Sequence, residues 1–328
     1  MILTDYFRSE KDMAWDISRE CGVRHGTIRL PETADFNVTD ESHWQAVYDR
    51  FMNFGVKPII IEPMPNSLHD HIKAGDGLRD ESIDCVIQML PIMEKLDIRM
   101  ICFNFMAHVG WTRTETDIEE RGGARVTGFN LDHYIPGRAR ITEEELWANY
   151  SYFLKAVVPE AEKHGIKLAL HPDDPPLPKL GEVSRIMVST KQVQHAVRGI
   201  IDSPALGVTM CQATFSLMGG NIYETISEFR DKIFFVHFRN VVGSKENFRE
   251  TFHDNGNLDM ARLIRHYQNL GLNVPVRVDH VPTLVGEDTV NMGYDALGRL
   301  YAIGYLKGLL QMAGSYQDDK DLGITATG

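Results

Sequence analysis

The sequence LGVTMC (residues 206–211) is a short apolar run that ends in a residue able to bind a metal. The same pattern closes three other runs, with histidine or aspartate as the possible ligand: KLALHP (167–172), IFFVHFR (233–239) and VPVRVDH (274–280). Short apolar runs bounded in this way are typical of buried strands. Because the carboxyl ends of parallel strands meet on one side of an α/β fold, we expect these terminal residues to lie together.

Four more runs complete a set of eight predicted strands, and helical patterns alternate with them. The strands are predicted at residues 2–7, 23–29, 57–62, 98–104, 167–171, 206–211, 233–238 and 274–279. The helices are predicted at residues 9–20, 40–55, 80–96, 142–164, 189–201, 222–230, 259–270 and 294–313. This alternation predicts an α/β fold with a single (β/α)8 TIM barrel, similar to the xylose isomerase type. No GxGxxG motif follows the early strands, which argues against a doubly wound dinucleotide-binding sheet.

The barrel is predicted to span residues 1–315, followed by a polar C-terminal tail at residues 316–328. Two long segments, 105–141 and 239–258, interrupt the regular alternation. Long ordered loops at the carboxyl face of a barrel usually build its active site. We therefore expect both segments to contribute to the site.

The composition is that of a soluble globular protein, with 328 residues of which 43% are hydrophobic and 24% charged. The formal net charge of −12 argues against a nucleic-acid partner, because binding to phosphates requires a basic surface. No apolar run has the length of a membrane span, and the first residues lack a secretory apolar region. The four cysteines are widely spaced without a CxxC pair, which is typical of reduced thiols in a cytoplasmic protein.

The predicted metal site consists of His171, Cys211, His237 and Asp279. A mixture of imidazole, thiolate and carboxylate suits a divalent first-row transition ion, whereas Mg²⁺ and Ca²⁺ prefer oxygen ligands. Four protein ligands leave coordination positions for substrate or water if the ion is five- or six-coordinate. This favours Mn²⁺ or Fe²⁺ over a closed structural zinc site. Each residue alone has a structural alternative, and the occurrence of all four at successive strand ends favours the metal.

Two residues close to the predicted mouth are candidates for proton transfer. His280 directly follows Asp279, and it can reach the mouth if the chain already turns at the strand end. An imidazole titrates near neutral pH and therefore suits proton transfer. Tyr294 is predicted to open the last helix near the same mouth, where a divalent cation would lower its pKa. Simple packing at a helix start is the alternative for Tyr294.

Further polar residues are candidates for contacts with a substrate. Arg113, Arg239 and Arg277 have the planar geometry that clamps a carboxylate. Asn104 lies at a predicted strand end, where its amide can hydrogen-bond a hydroxyl group. His253 lies on the second long segment and is predicted to lie over the site, with simple exposure as the alternative.

The string HPDDPP (171–176) is the most unusual local sequence. Its prolines fix the loop that follows the strand, so that Asp173 and Asp174 can orient neighbouring groups or cap amides. Asp173 is assigned to substrate binding, and a rigid acidic turn without chemistry is the alternative.

Taken together, these strings resemble the barrel-type mannonate dehydratase family. The strings that carry the resemblance are CFNFM (102–106), WTRT (111–114), LALHPDDPP (168–176), MVST (187–190), TMC (209–211), VHFRN (236–240), FHDNGNLDM (252–260), RVDH (277–280) and GYDALGRL (293–300). They cover about residues 57 to 313 in the order of the family. The sequence departs from the family at its first two strands and in the segment 120–142, which is shorter than in long family members.

The resemblance implies a metal-dependent hydro-lyase that converts D-mannonate or a related aldonate to 2-keto-3-deoxygluconate and water. It implies that Mn²⁺ or Fe²⁺ is held by His171, Cys211, His237 and Asp279. Proton transfer would belong to His280 and Tyr294, with the roles of base and acid left open. The substrate is then a small sugar acid, and we expect a homo-oligomer, as a dimer.

Three alternatives remain open at this point. A sugar isomerase or epimerase on the same barrel would place two glutamates at strand ends, where only Glu62 qualifies. A metal-dependent lyase that eliminates from an oxidised glycoside is a second enzymatic possibility. A non-catalytic protein that binds a metal or a sugar acid is the third.

Overall fold

The computed structural model describes residues 1–287, 292–314 and 316, and its centre is a closed barrel of eight parallel strands. The strands are β1 (Ile2–Phe7), β2 (His25–Ile28), β3 (Lys57–Ile61), β4 (Met100–Phe103), β5 (Lys167–Leu170), β6 (Leu206–Cys211), β7 (Ile233–Phe238) and β8 (Pro275–Val278). Each pairs with its neighbours in the sequence, and β1 pairs with β8 to close the barrel. The predicted barrel and its eight strands are confirmed.

Helices surround the barrel. They are α1 (Met13–Glu20), α2 (Glu41–Phe54), α3 (Asn66–Ala74), α4 (Arg79–Lys95), α5 (Glu143–Lys163), α6 (Thr190–Gln194), α7 (Gln212–Leu217), α8 (Ile222–Glu228), α9 (Met260–Asn269) and α10 (Ala296–Met312). All eight predicted helices are present with somewhat different bounds. Helices α3 and α7 are not predicted from the sequence, because neither begins with an N-cap residue whose side chain accepts a backbone hydrogen bond.

The capping signals agree with the structure where they are strongest. Thr142 precedes α5, and its hydroxyl accepts a hydrogen bond from the Glu145 amide at 3.1 Å. The Glu145 carboxylate accepts one from the Thr142 amide at 2.8 Å, which completes a capping box. Gly55 ends α2 with a φ of 85°, a left-handed conformation that favours glycine.

Both long segments fold into strands of their own. Glu115–Glu119, Arg125–Asn130, Val241–Gly243 and Asn247–Glu250 form a four-stranded antiparallel sheet that joins the two segments. A bridge between Arg125 and Thr283 connects this sheet to the loop after β8. These strands were not predicted, because runs such as ETDIE contain charged residues with low β propensity.

A continuous apolar core lies between the barrel and the helices. Trp15 of α1 stacks on Phe51 of α2 with ring centroids 4.2 Å apart. Inside the barrel, a separate buried cluster contains Ile60, Met100, Cys102, Ala169 and Phe235. The barrel interior is therefore packed, and a ligand can enter only at the strand ends.

Two expectations concern the ends of the chain and membranes. The predicted polar tail at residues 316–328 lies outside the described residues, apart from Tyr316. Among the helices that the structure describes, none has both the length and the apolar character needed to cross a bilayer.

Candidate metal and active site

The carboxyl ends of the strands open into one cavity with a volume of about 660 Å³. Seven of the candidate site residues line it: Asn104, His171, His237, Arg277, Asp279, His280 and Tyr294. A cavity of this size with converging polar groups is the usual form of a small-molecule site. The strand-end residues therefore converge as the sequence pattern predicted.

Three of the four predicted metal ligands meet at one point. His171 follows β5, Cys211 ends β6 and His237 is the penultimate residue of β7. Their ligand atoms all lie within 4.8 Å of one another. Cys211 and His237 are paired across β6 and β7, so the register of the sheet brings them together. Two imidazoles and a thiol at this separation can bind one ion with small adjustments.

Asp279 approaches the same point from β8 but lies farther away. Its Oδ2 atom is 3.6 Å from Nδ1 of His237, and its Oδ1 atom accepts a hydrogen bond from Arg277 at 2.8 Å. Nε2 of the buried His237 lies 3.0 Å from Oε1 of Glu62, but neither of its ring nitrogens makes a well-aligned hydrogen bond to a described residue. Buried polar atoms are rarely left unsatisfied. A buried imidazole without an aligned hydrogen bond, beside a sulfur and two carboxylates, fits a site that binds a cation.

The protonation of Cys211 also fits a metal ligand. Burial alone would raise the pKa of this thiol, but the positive charge of Arg239 and the adjacent imidazoles of His171 and His237 hold it well below its usual value. Thr214 donates a further hydrogen bond to the sulfur at 3.2 Å. Burial opposes protonation of His171, yet the adjacent sulfur raises the pKa of His171 to about 9. The surroundings of Cys211 therefore favour the thiolate, which is the form that binds metals.

A second group of possible ligands shares His237. It consists of Glu62, Cys102 and His237, whose ligand atoms also lie within 4.8 Å of one another. Burial and the charge of Glu62 raise the pKa of Cys102 well above its usual value, so this cysteine remains a thiol. Arg277 donates two hydrogen bonds to Glu62, both at 2.9 Å. This group is therefore less suited to a metal than the group around Cys211.

His280 turns into the cavity because the backbone leaves the strand at that residue. β8 ends at Val278, and His280 has a left-handed backbone with a φ of 44°. Its Nδ1 atom lies 3.0 Å from Oε1 of Glu250, and its ring centroid lies 5.5 Å from that of Tyr294. The two predicted proton-transfer residues are thus neighbours at the mouth.

Tyr294 lines the cavity two residues before α10 begins. Burial, reinforced by the negative charge of Asp279, raises the pKa of Tyr294 well above its usual value. A divalent cation was expected from the sequence to lower the pKa of Tyr294. The protein groups around its hydroxyl have the opposite effect. Tyr294 is therefore protonated and able to donate its hydrogen.

A buried network of charges lies behind His280. Arg113 donates to both carboxylate oxygens of Asp174 at 3.0 Å, and Arg239 donates to Oδ2 of Asp174 at 2.6 Å. Both arginines also donate to Glu250, at distances from 2.5 to 3.2 Å. The side chains of these four residues are at most 2% exposed. Their charges are mutually compensated, as buried ions require.

The three arginines predicted to clamp a substrate carboxylate contact acidic groups of the protein instead. Neither Arg113 nor Arg239 is among the described residues that line the cavity, because Asp174 and Glu250 hold both guanidinium groups behind it. Arg277 does line the cavity, and its donors are directed to Glu62 and Asp279. The three arginines therefore orient acidic groups of the protein in this structure.

The other predicted substrate contacts occupy different positions. Asn104 lines the cavity, and its Oδ1 atom accepts a hydrogen bond from the Met106 amide at 3.1 Å. Asp173 is fully buried and accepts hydrogen bonds from the amides of Ile186 and Met187. His253 is buried, stacks on Phe238 and hydrogen-bonds its carbonyl oxygen at 2.8 Å. Asp173 and His253 thus stabilise loops around the site.

Sequence reasoning missed Glu250 as a site residue. It lies in the second long segment, within the string FRETFH, and no strand or motif signal singles it out. Its partners Arg113, Arg239 and His280 come from three different parts of the sequence. Only the folded sheet of the two long segments brings Glu250 to His280, behind the cavity.

Comparison with known proteins gives consistent results. A family model described as D-mannonate dehydratase (UxuA) matches residues 19–135 and 130–320. A mannonate dehydratase from Streptococcus equi subsp. zooepidemicus is 32% identical, over 83% of this chain and 83% of the relative. The crystal structure of mannonate dehydratase from Streptococcus suis serotype 2 matches with a TM-score of 0.85 and 26% identity, over 100% of this chain and 98% of that chain.

A more distant solved structure supports the fold alone. A xylose isomerase domain protein from Planctomyces limnophilus matches with a TM-score of 0.61 at 12% identity, over 96% of this chain and 99% of that chain. This agrees with the predicted barrel of the xylose isomerase type.

The state of Cys211 gives a direct test of the site. We expect metal-free protein to show the ultraviolet absorbance of one thiolate at neutral pH, because the pKa of Cys211 is well below its usual value. The absorbance should disappear on acidification and should be absent in Cys211→Ser. Cys85→Ser is the matched control, since burial raises the pKa of Cys85. Equal absorbance in wild type and Cys211→Ser would contradict the assignment.

Proposed function

The chain belongs to the mannonate dehydratase family, and from this premise and the geometry of the cavity we propose that it removes water from D-mannonate to give 2-keto-3-deoxygluconate. The observation that carries the proposal is the meeting of His171, Cys211 and His237 beside the pair His280 and Tyr294. The isomerase or epimerase alternative is not favoured, because matches of that kind share only the fold with this chain.

The family is metal-dependent, and the residues at the strand ends fit a divalent ion. His171, Cys211 and His237 would hold it, with Asp279 as a fourth ligand after a small movement. The thiolate argues against Mg²⁺ and Ca²⁺, and we propose Mn²⁺ or Fe²⁺ because four protein ligands leave coordination positions open for the substrate. When bound, the ion supplies Lewis-acid stabilisation of the negative charge that develops on the substrate carboxylate as the C2 proton leaves. With an ion held there, the carboxylate end of the substrate would lie toward the ends of β5, β6, β7 and β8.

The hydrogen bond to Glu250 assigns the roles of the two proton-transfer residues. Glu250 can only accept a hydrogen bond, because nearby positive charges, Arg239 first, outweigh its burial and lower its pKa. Nδ1 of His280 must therefore carry a hydrogen. In neutral His280 the lone pair is then on Nε2, which makes this atom the base for the C2 proton.

Tyr294 then serves as the acid. Its raised pKa keeps the phenol protonated, so it can donate its proton to the C3 hydroxyl, which leaves as water. Loss of the C2 proton and the C3 hydroxyl yields an enol, which tautomerises to the 2-keto-3-deoxy acid. Asn104 lines the same cavity, and its amide NH₂ group is placed to donate to a substrate hydroxyl.

Arg113, Arg239 and Asp174 act indirectly in this mechanism. Asp174 fixes both arginines, the arginines hold Glu250 in place, and Glu250 in turn orients His280. Asp173 and His253 fix the loops that carry these groups. The homodimer expected from the sequence stays a prediction.

The reaction itself is tested with metal-reconstituted protein. We expect D-mannonate to give 2-keto-3-deoxygluconate with added Mn²⁺ or Fe²⁺ and no product after treatment with a chelator. Tyr294→Phe should lower kcat by about 10²- to 10⁴-fold, since it removes the acid. Tyr152→Phe is the matched control, because Tyr152 is exposed on α5. An isomerised sugar formed without loss of water would contradict the proposal.

The orienting role of Glu250 is tested by Glu250→Gln. An amide can present its NH₂ group to Nδ1, so the tautomer of His280 is no longer fixed. We expect kcat to fall by about 10²-fold or more while KM changes little, because only proton transfer is affected. The control is Glu246→Gln, an exposed residue of the same segment. A change in KM with an unchanged kcat would show that Glu250 does not act through His280.

A further inference from the structure

Two arginines lie side by side at the ends of β1 and β2. Phe7 and Ile28 are the last paired residues of these strands, and the Arg29 amide donates to the Phe7 carbonyl at 2.9 Å. Arg8 and Arg29 directly follow this pair, so the barrel register makes them neighbours. Both line the cavity.

A third cation reaches the same side of the cavity from α3, the helix that follows β3. Lys73 lines the cavity with its side chain only 5% exposed, and its ammonium group lies 2.8 Å from Asp70, which also lines it. Three cationic side chains and two carboxylates, those of Asp70 and Glu62, thus face the cavity above β1, β2 and β3, and Glu62 is already paired with Arg277. The local charge is positive in a protein whose formal net charge is −12.

The ion pairs of the two arginines are exposed and weak. Arg8 lies 3.6 Å from Asp12 and Arg29 lies 3.0 Å from Glu32, with all four side chains between 32% and 40% exposed. Neither Asp12 nor Glu32 is among the described lining residues. Exposed pairs of this kind exchange readily, so a ligand anion can replace the protein carboxylates. Arg277 and Arg239, in contrast, are buried against their acidic partners.

The barrel places these cations opposite the metal ligands. The strand order runs consecutively around the barrel, with β5, β6, β7 and β8 carrying the predicted ligands on one side. The sector formed by β1, β2 and β3 lies across the cavity from the middle of that set. A six-carbon acid whose carboxylate lies at the metal side therefore directs its other end toward Arg8 and Arg29.

We infer that Arg8 and Arg29, supported by Lys73, bind a second anionic group at the far end of the substrate. The site then accepts dianionic sugar acids, namely aldarates with a carboxylate at C6 or aldonates with a phosphate at C6. This inference rests on the proposed function for the direction in which the substrate lies. Guanidinium groups recognise carboxylates and phosphates alike, so the chemistry is shared by both classes.

Binding affinities test the inference separately from turnover. The ligands are D-mannonate, D-mannarate and 6-phospho-D-mannonate, titrated by calorimetry into Mn²⁺-loaded Tyr294→Phe protein so that they are not consumed. We expect at least one dianion to bind about tenfold more tightly than D-mannonate. The dianion that binds more tightly shows whether the arginines recognise a carboxylate or a phosphate at C6. The preference should weaken at higher ionic strength, because the arginines are partly exposed.

Single-residue variants test whether Arg8 and Arg29 cause the preference for a dianion. Arg8→Ala and Arg29→Ala, each introduced into the same protein, should reduce the ratio of dianion to mannonate affinity to near one. Arg50→Ala is the matched control, since the side chain of Arg50 is 39% exposed and is not among the described lining residues. The ratio should stay at its original value in that variant.

Two results would overturn the inference: D-mannonate binding as tightly as both dianions, or an unchanged ratio in both arginine variants. Failure of the proposed function looks different. In that case no sugar acid is dehydrated by the unmodified protein, while the dianion preference and its loss in Arg29→Ala are still measured.

Discussion

The buried guanidinium of Arg239 is the interaction on which the site depends. It donates to Asp174 after β5 and to Glu250 in the second long segment, and it lies 3.6 Å from the sulfur of Cys211. One group thus fixes the acid that orients His280 and stabilises the thiolate among the metal ligands. Breaking a buried pair of this kind typically costs about 3–5 kcal/mol, because the partner remains buried and unpaired. Loop position and thiol protonation are therefore coupled through a single side chain.

The strand ends and their chemistry could be predicted from the sequence because they depend on local patterns. Each apolar run shows where a strand ends, and parallel strands must end on the same side of the barrel. His171, Cys211 and His237 therefore converge as expected. His280 also reaches the cavity, since the turn after β8 starts before it.

The remaining parts depend on contacts between residues that are distant in the sequence. Glu250 becomes part of the site only through the sheet that joins the two long segments, whose strands carry no apolar alternation. Arg113 and Arg239 have the chemistry of a carboxylate clamp, and nothing local shows that protein acids occupy them. Two groups of possible metal ligands also share His237 at the mouth. The group with Glu62 and Cys102 is less suited to a metal, because Arg277 occupies Glu62 and Cys102 remains a thiol.

The proposed chemistry requires one divalent ion where β5, β6 and β7 end. Anomalous X-ray diffraction from crystals of the Mn²⁺-loaded protein would locate this ion. We expect one peak within about 2.5 Å of ligand atoms of His171, Cys211 and His237, with a carboxylate oxygen of Asp279 completing the set. A peak between Glu62, Cys102 and His237, with Cys211 unliganded, would contradict it.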